Sequence, residues 1–160
     1  KPLKLEIRYN TSENHKNTSV ALADMWKPLN VEVKLVNSDL KSHYALLREK
    51  GNYDIARAGW IADYADAQNF LFLLQGDNKG LNYANYENAE FDALMKKAAT
   101  IQDPAQRAAV LKQAEAIILN DQPLIPLMYY GSKNLVSSKI EGFSTNVLDR
   151  HLSRFLSVKP

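Results

Sequence analysis

Residues 53–64 read YDIARAGWIADY, from Tyr53 to Tyr64, and they decide the fold because they supply the third of three strands separated by helices. Tyr53, Ile55, Ala56 and Ala58 give strand character to a stretch predicted near Tyr53 to Trp60. Gly59 lets another backbone approach closely, and Asp63 lies past the strand in a turn-prone stretch. A cation, an indole and an anion are thus set along and just beyond one short apolar edge. Charges of opposite sign flanking such an edge suit a zwitterion, and an extended peptide carries an ammonium at one end and a carboxylate at the other.

Upstream, Leu3, Leu5, Ile7 and Tyr9 alternate with Lys4, Glu6 and Arg8, the period-two pattern of a strand with one buried face. From Glu13 the spacing turns helical, and Val20, Ala21, Met25 and Leu29 share one face until Pro28 and Asn30 stop the helix. Val31, Val33 and Leu35 alternate in a second strand. Ser38 is placed to cap a helix through about Lys50, with Gly51 as its left-handed stop. The resulting β-α-β-α-β order predicts an α/β fold, a mainly parallel sheet flanked by helices, and ligands in such sheets bind beyond the carboxyl ends of strands.

Downstream, Ala67 to Leu74 reads as a short apolar helix and Gly76 to Tyr86 as a polar loop. Asn88 caps a helix to about Thr100, and Asp103, Pro104 and Gln106 place an N-cap, an N1 proline and an N3 partner at the head of the next. An antiparallel pairing of these two helices is expected. PLIPLMYY, residues 123 to 130, is too proline-punctuated for a central strand and reads as an extended crossing segment, followed by a weak strand at Asn134 to Val136. From Gly131 onward lone apolar residues (Ile140, Phe143, Leu152, Phe155) alternate with polar stretches and call for a partner surface.

The chain has 160 residues, 46 % hydrophobic and 24 % charged, which is ordinary globular composition with length for a real core. Twenty basic against 18 acidic residues, dispersed, give neither a nucleic-acid footprint nor a polybasic membrane anchor. The absence of cysteine excludes disulfides and thiolate chemistry. No apolar run reaches the ~20 residues of a membrane span, and residue 1 stands almost inside a strand, as in a mature or truncated chain.

Each singled-out residue has a plain reading beside the functional one. Asp63 is a solvated turn carboxylate or an ammonium partner; Arg57 pairs structurally, with Asp54 for instance, or meets a ligand anion; Trp60 is core or ligand wall. His15 is a capping residue near a helix start or, with the free N–H groups of that terminus, helps receive a carboxylate. Arg48 near a helix end serves the helix dipole by default. His15, His43 and His151 are scattered without metal-ligand spacing, and no GxSxG, P-loop or GxGxxG is present, so no metal, no cofactor and no catalytic site is expected.

YNTSENHK (9 to 16), the run from Val31 to Asn37, LREKGNYDIARAGWIADYADAQNFL (47 to 71) and the AEFDALM helix together resemble the carboxy-terminal lobe of the oligopeptide-binding proteins, the periplasmic solute receptors of peptide ABC importers. The resemblance runs from about Leu3 to about Val158 and covers the last third or so of such a receptor. It implies one lobe of a type II periplasmic binding protein: residues 1–130 as the ligand-binding lobe, incomplete at its amino-terminal side, and residues 131–160 as a crossing segment and tail that pack on the missing amino-terminal lobe. It implies an oligopeptide enclosed between two lobes, delivery to the permease subunits of an ABC importer, a periplasmic or extracytoplasmic location reached by the membrane only through the transporter, and no chemistry. By this resemblance Asp63 pairs with the peptide ammonium, and Gly59, Trp60 and Ile61 offer backbone bonds as an added strand. Arg57 and His15 match positions that receive the carboxylate for different peptide lengths, and Asn10 and Arg48 match positions lining the side-chain pockets. Ile61 and the DAQNF continuation depart from the family pattern. A receptor of the same fold for another solute, such as a cell-wall peptide, opine or sugar conjugate, and a free-standing α/β hydrolase-like enzyme are the alternatives.

Overall fold

The computed structural model describes residues 1–159. The chain divides into two compact units: Lys1–Trp60 with Phe72–Ala93, and Ile61–Leu71 with the residues from Leu94 onward.

In the first unit, β1 (Leu3–Asn10) is the central strand of a three-stranded parallel sheet. It pairs with β2 (Val31–Ser38) along its whole length, Leu3 opposite Val31 through Asn10 opposite Ser38. On the other edge it meets β3 (Ile55–Ala56), Ile7 opposite Ile55 and Arg8 opposite Ala56. The predicted alternation holds in the second half of the strand, where Ile7 and Tyr9 are buried and Glu6 engages Arg8 Nε at 2.6 Å and Lys34 Nζ at 2.9 Å; Leu3, expected on the same buried face, is exposed and Leu5 half-buried. The third strand is far shorter than the predicted Tyr53 to Trp60. Arg57 N–H still donates to the Arg8 carbonyl at 2.7 Å, but beyond it the chain takes no part in a strand.

The crossovers are α1 (Glu13–Trp26) and α2 (Leu40–Arg48). A short 3₁₀ turn at Lys27–Leu29 carries Pro28, and Asn30 ends it in the left-handed region at φ 60°. The apolar stripe predicted for α1 faces outward: Val20, Met25 and Leu29 are all exposed. The buried position is Ser19, whose hydroxyl is satisfied by the His15 carbonyl at 2.9 Å. The cap of α2 is Asp39, one residue after the predicted Ser38, its carboxylate accepting from the Lys41 and Ser42 N–H groups. At the other end Lys50, not Gly51, is left-handed (φ 56°). Gly51 N–H bonds the Leu46 carbonyl and Lys50 N–H the Leu47 carbonyl, a Schellman closure. Gly51 also leaves room for Leu46, since a Cβ there would fall 2.2 Å from Leu46 Cδ1 and that side chain would have to shift.

The loop before α4 (Ala89–Ala99) is organised by one side chain. Asn82 is buried; its amide N–H groups reach the carbonyls of Tyr86 (2.8 Å), Gln75 (3.1 Å) and Leu74 (3.4 Å), and its oxygen accepts from Tyr86 N–H at 3.1 Å. Asn88 caps α4 as predicted, accepting from Glu90 and Phe91 N–H.

In the second unit, α3 (Gln68–Leu71) packs with α5 (Pro104–Asp121), and α5 is also tied to the end of α4, Arg107 donating to the Ala98 carbonyl. Leu71, Met95, Ala98, Val110, Leu111, Ala114 and Ile118 form its buried set. Asp103 caps α5 through Gln106 N–H at 2.7 Å. Residues 123–130 have no regular structure and expose Ile125, Met128 and Tyr129. The weak strand expected at Asn134 to Val136 does not form, and Leu135 is fully exposed. A short antiparallel pair forms instead between β4 (Ile140–Glu141) and β5 (Ser157–Val158).

Replacing Asn82 by Ala removes four hydrogen bonds and leaves buried backbone groups unpaired. A loss of about 2–4 kcal/mol is expected, read from urea unfolding, with Asn82→Asp recovering only the bond from Tyr86 N–H.

Candidate functional site

The strand order β2-β1-β3 means that the chain leaves β1 first toward one edge and then returns past it to the other. In open parallel sheets, ligands bind outside the carboxyl ends of strands at such a reversal. The carboxyl ends of β1 and β3 carry Asn10 and, just past Ala56, Arg57. Both were singled out in the sequence.

Asn10 is buried, and its side-chain oxygen has no hydrogen-bond partner. Its backbone carbonyl accepts from His15 Nδ1 at 3.3 Å, so that nitrogen carries the proton. His15 stands in the first turn of α1, whose N-cap Ser12 makes no side-chain cap bond. The first-turn N–H groups of α1 therefore lack a side-chain acceptor from that residue. Burial, and then the charge of Arg57, hold His15 below the ordinary histidine value of 6.5, against the Asn10 carbonyl that favours its charged form. His15, Asn10 and Arg57 are thus gathered at one end of the sheet.

Arg57 is held on both sides of its own backbone. Its N–H donates to Arg8 and its carbonyl accepts from His43 Nε2 at 2.9 Å. Its guanidinium lies against Gly59, where a Cβ would come 3.3 Å from Nη1. Gly59 therefore makes room for this side chain, a more specific reason than close backbone approach in general. Asp54, considered as the partner of Arg57, instead accepts from the Glu6 backbone N–H at 2.8 Å and closes the edge of β1. Trp60 is half-buried, edge-on to Phe72 at 5.7 Å.

Arg48 is exposed at the end of α2 and belongs to a tyrosine group. Tyr83 is raised from its ordinary value by burial, with the Arg48 charge acting in the opposite direction. Tyr44 lies 6.1 Å from Tyr83, and Tyr53 donates its hydroxyl to the Tyr83 carbonyl at 3.0 Å. Arg48 thus stands with Tyr44, Tyr53 and Tyr83.

The second unit carries Ile61 and Asp63, both exposed. Asp63 N–H donates to Asn69 Oδ1 at 3.0 Å, and Asn69 is buried. Among the described residues no side chain pairs with the Asp63 carboxylate. The turn behind it is braced by Asp66, which takes Arg107 Nε at 2.8 Å and Nη2 at 3.3 Å while accepting from Gln68 N–H. Arg107 also donates to the Ala98 carbonyl. This pairing lowers Asp66 and raises Arg107. The residues missed by the sequence reading are His43, Asn69, Asp66 and Arg107. Only His43 left a signal, a histidine four residues before Leu47 on the helix face turned to the core.

A parallel α/β sheet flanked by helices, with polar and cationic groups beyond its reversed strand ends, defines a lobe of a type II periplasmic binding protein. Residues 1–82 match the bacterial extracellular solute-binding proteins, family 5 (Middle), and the chain belongs to that family. It is 37 % identical over 147 residues to the periplasmic murein peptide-binding protein MppA of Escherichia coli (strain K12), covering 91 % of this chain and 27 % of that protein. It is 40 % identical over 148 residues to the periplasmic oligopeptide-binding protein OppA of Haemophilus influenzae, covering 89 % of this chain and 27 % of that protein. The crystal structure of Haemophilus influenzae OppA in complex with RPPGFSPFR superposes with a TM-score of 0.85 at 36 % identity, over 99 % of this chain and 31 % of that one. The chain thus spans under a third of the length of these relatives.

Burial holds His43 neutral, its value lowered from 6.5 mainly by desolvation and further by Arg57 and Arg8, with the Arg57 carbonyl opposing. The unfolded chain binds a proton at about the ordinary value, so the unfolded state takes up more protons once pH falls below it. Stability is then full above pH 6.5 and declines as pH falls from 6.5 toward the lower folded value. Urea midpoints at pH 7.5, 6.5 and 5.5 check this, and His43→Gln flattens the slope to the part due to His15.

Proposed function

We propose that this chain is the carboxy-terminal lobe of an extracytoplasmic, periplasmic receptor that binds oligopeptides and delivers them to the permease of an ABC importer. The observation that carries this reading is the convergence of Asn10, His15 and Arg57 at the reversed strand ends, a ready receptor for a carboxylate. Arg57 and His15 take the terminal carboxylate in this reading, by length, since an extended peptide grows by roughly 3.3 Å per residue and one fixed cation cannot meet every terminus. Asp63 takes the ammonium, and Gly59, Trp60 and Ile61 bond the peptide backbone as an added strand, which gives affinity without reading side chains. Asn10 and Arg48 line side-chain pockets. Residues 1–130 form the ligand-binding part, and residues 131–160, with the exposed apolar run at 124–130, pack on the amino-terminal lobe of the same protein.

The likeness to a murein peptide-binding protein favours a cell-wall peptide as the second reading. Mass spectrometry of ligand co-purifying with the natural protein that contains this chain separates the two. It also separates a receptor from an α/β hydrolase-like enzyme, because a receptor releases added peptide intact.

Losing one partner of a desolvated charge pair costs about 2–5 kcal/mol, or roughly 30- to 4,000-fold in affinity. Calorimetry with a tripeptide should show a loss in that range for Asp63→Asn, and N-acetylation of the peptide should weaken binding to the unmutated receptor. Unchanged affinity in both would remove Asp63 from the site. Arg57→Ala and His15→Ala should each weaken peptides of some lengths more than others across two to five residues. A uniform factor would mean that neither is a length-specific anchor.

A further inference from the structure

His43 is fully buried on α2, and its ring has one assigned task. A carbonyl only accepts, so the 2.9 Å contact to the Arg57 oxygen makes Nε2 the protonated nitrogen. Nδ1 is then the lone-pair atom, and it is buried with no hydrogen-bond partner. Protonating it would set a donor where no acceptor stands, close to the Arg57 and Arg8 guanidinium groups and to His15. One tautomer is left.

The peptide groups on which this tautomer acts matter for ligand contact. β3 pairs with β1 through only two residues, and the Arg57 N–H bond to Arg8 is the last that joins it to the sheet. The Arg57 carbonyl comes one step later, and His43 supplies its donor from the helix. These two bonds fix both peptide groups flanking the Arg57 Cα, and so the direction in which its side chain starts. The guanidinium end lies beside Gly59, in the space a Cβ would occupy.

We propose that His43 is a positioning residue for the carboxylate receptor: its Nε2–H bond to the Arg57 carbonyl aims the guanidinium and sets the preference for ligands with a free carboxylate terminus. This rests on the peptide-binding reading above. His43 touches no ligand in this scheme and acts only through Arg57.

The test uses the natural protein containing this chain, with trialanine and trialanine amide as probes in calorimetry. The unmutated protein prefers the acid. His43→Phe keeps a ring but loses the donor, and the acid-to-amide preference should fall about tenfold, the equivalent of one lost hydrogen bond of ordinary strength. His43→Gln, whose amide N–H reaches a similar position, should keep the preference within about threefold. Should His43→Phe not fold by circular dichroism, His43→Asn, whose amide ends short of the carbonyl, takes its place with the same expectation. A folded donor-less variant that keeps the full preference overturns the inference, as does His43→Gln failing as badly as His43→Phe. Nitrogen NMR showing the Nδ1–H tautomer would also overturn it. No binding of either probe by the unmutated protein overturns the peptide reading itself, and the inference with it.

Discussion

Because β1 is hydrogen-bonded along both edges, the chain has to leave it in one direction and come back past it in the other, and most of the first unit follows from that constraint. Parallel neighbours cannot be joined by hairpins, so each step requires a crossover, supplied by α1 and α2. All three strands then end on the same side. The reversal opens a place at the carboxyl ends of β1 and β3 that neither crossover has to fill. Asn10, His15 and Arg57 are brought there because each stands within a few residues of a strand end, although Asn10 and Arg57 lie 47 positions apart in sequence.

The electrostatics of that end are one-sided. Arg57 acts on both His15 and His43, and Arg8 on His43, so both histidines are pushed toward the neutral form, first by burial and then by the arginine charge. Arg8 is compensated by Glu6, which Lys34 also engages. In the second unit the opposite arrangement holds: the bidentate Asp66–Arg107 pair fixes the turn internally, and Asn69 holds the Asp63 backbone, leaving the Asp63 carboxylate outside that network. A partly buried pair of this kind contributes chiefly by specifying geometry, since removing one partner leaves the other charge unmatched.

The elements legible in the sequence are those whose signals are local. β1 and β2 follow from alternation, and the heads of α4 and α5 from Asn88 and the Asp103-Pro104-Gln106 set, because a cap bonds its own first turn. Where the deciding partner is distant, the reading fails or shifts. Gly51 carries the usual composition of a left-handed stop, yet Lys50 takes the left-handed position, and the Leu46 side chain fills the space beside Gly51. Periodicity found an apolar face on α1 but could not say which surface covers it, and the face turned to the protein is the one holding Ser19. Asn134 to Val136 had strand composition, yet among the described residues no strand pairs with it. The candidate residues Asn10 and His15, and Arg57 and Asp63, were picked out because each pair stands in one short stretch, 9–16 and 53–64, whereas the supports, His43 and Arg107, come from helices 14 and 41 residues away from the residues they hold.

The brevity of β3 joins the fold to the proposed use of the segment. An eight-residue strand over Tyr53 to Trp60 would have committed its backbone groups on one side to β1 and tied Gly59 into the ladder. Two paired residues are enough to set direction, and the Arg8 and His43 bonds take over where the ladder stops. Past that point the chain is directed but is not a member of the sheet. A ligand that binds as an added strand needs such a segment: one whose direction is set by bonds to the peptide units at Arg57 and whose following residues lie outside the ladder of the sheet.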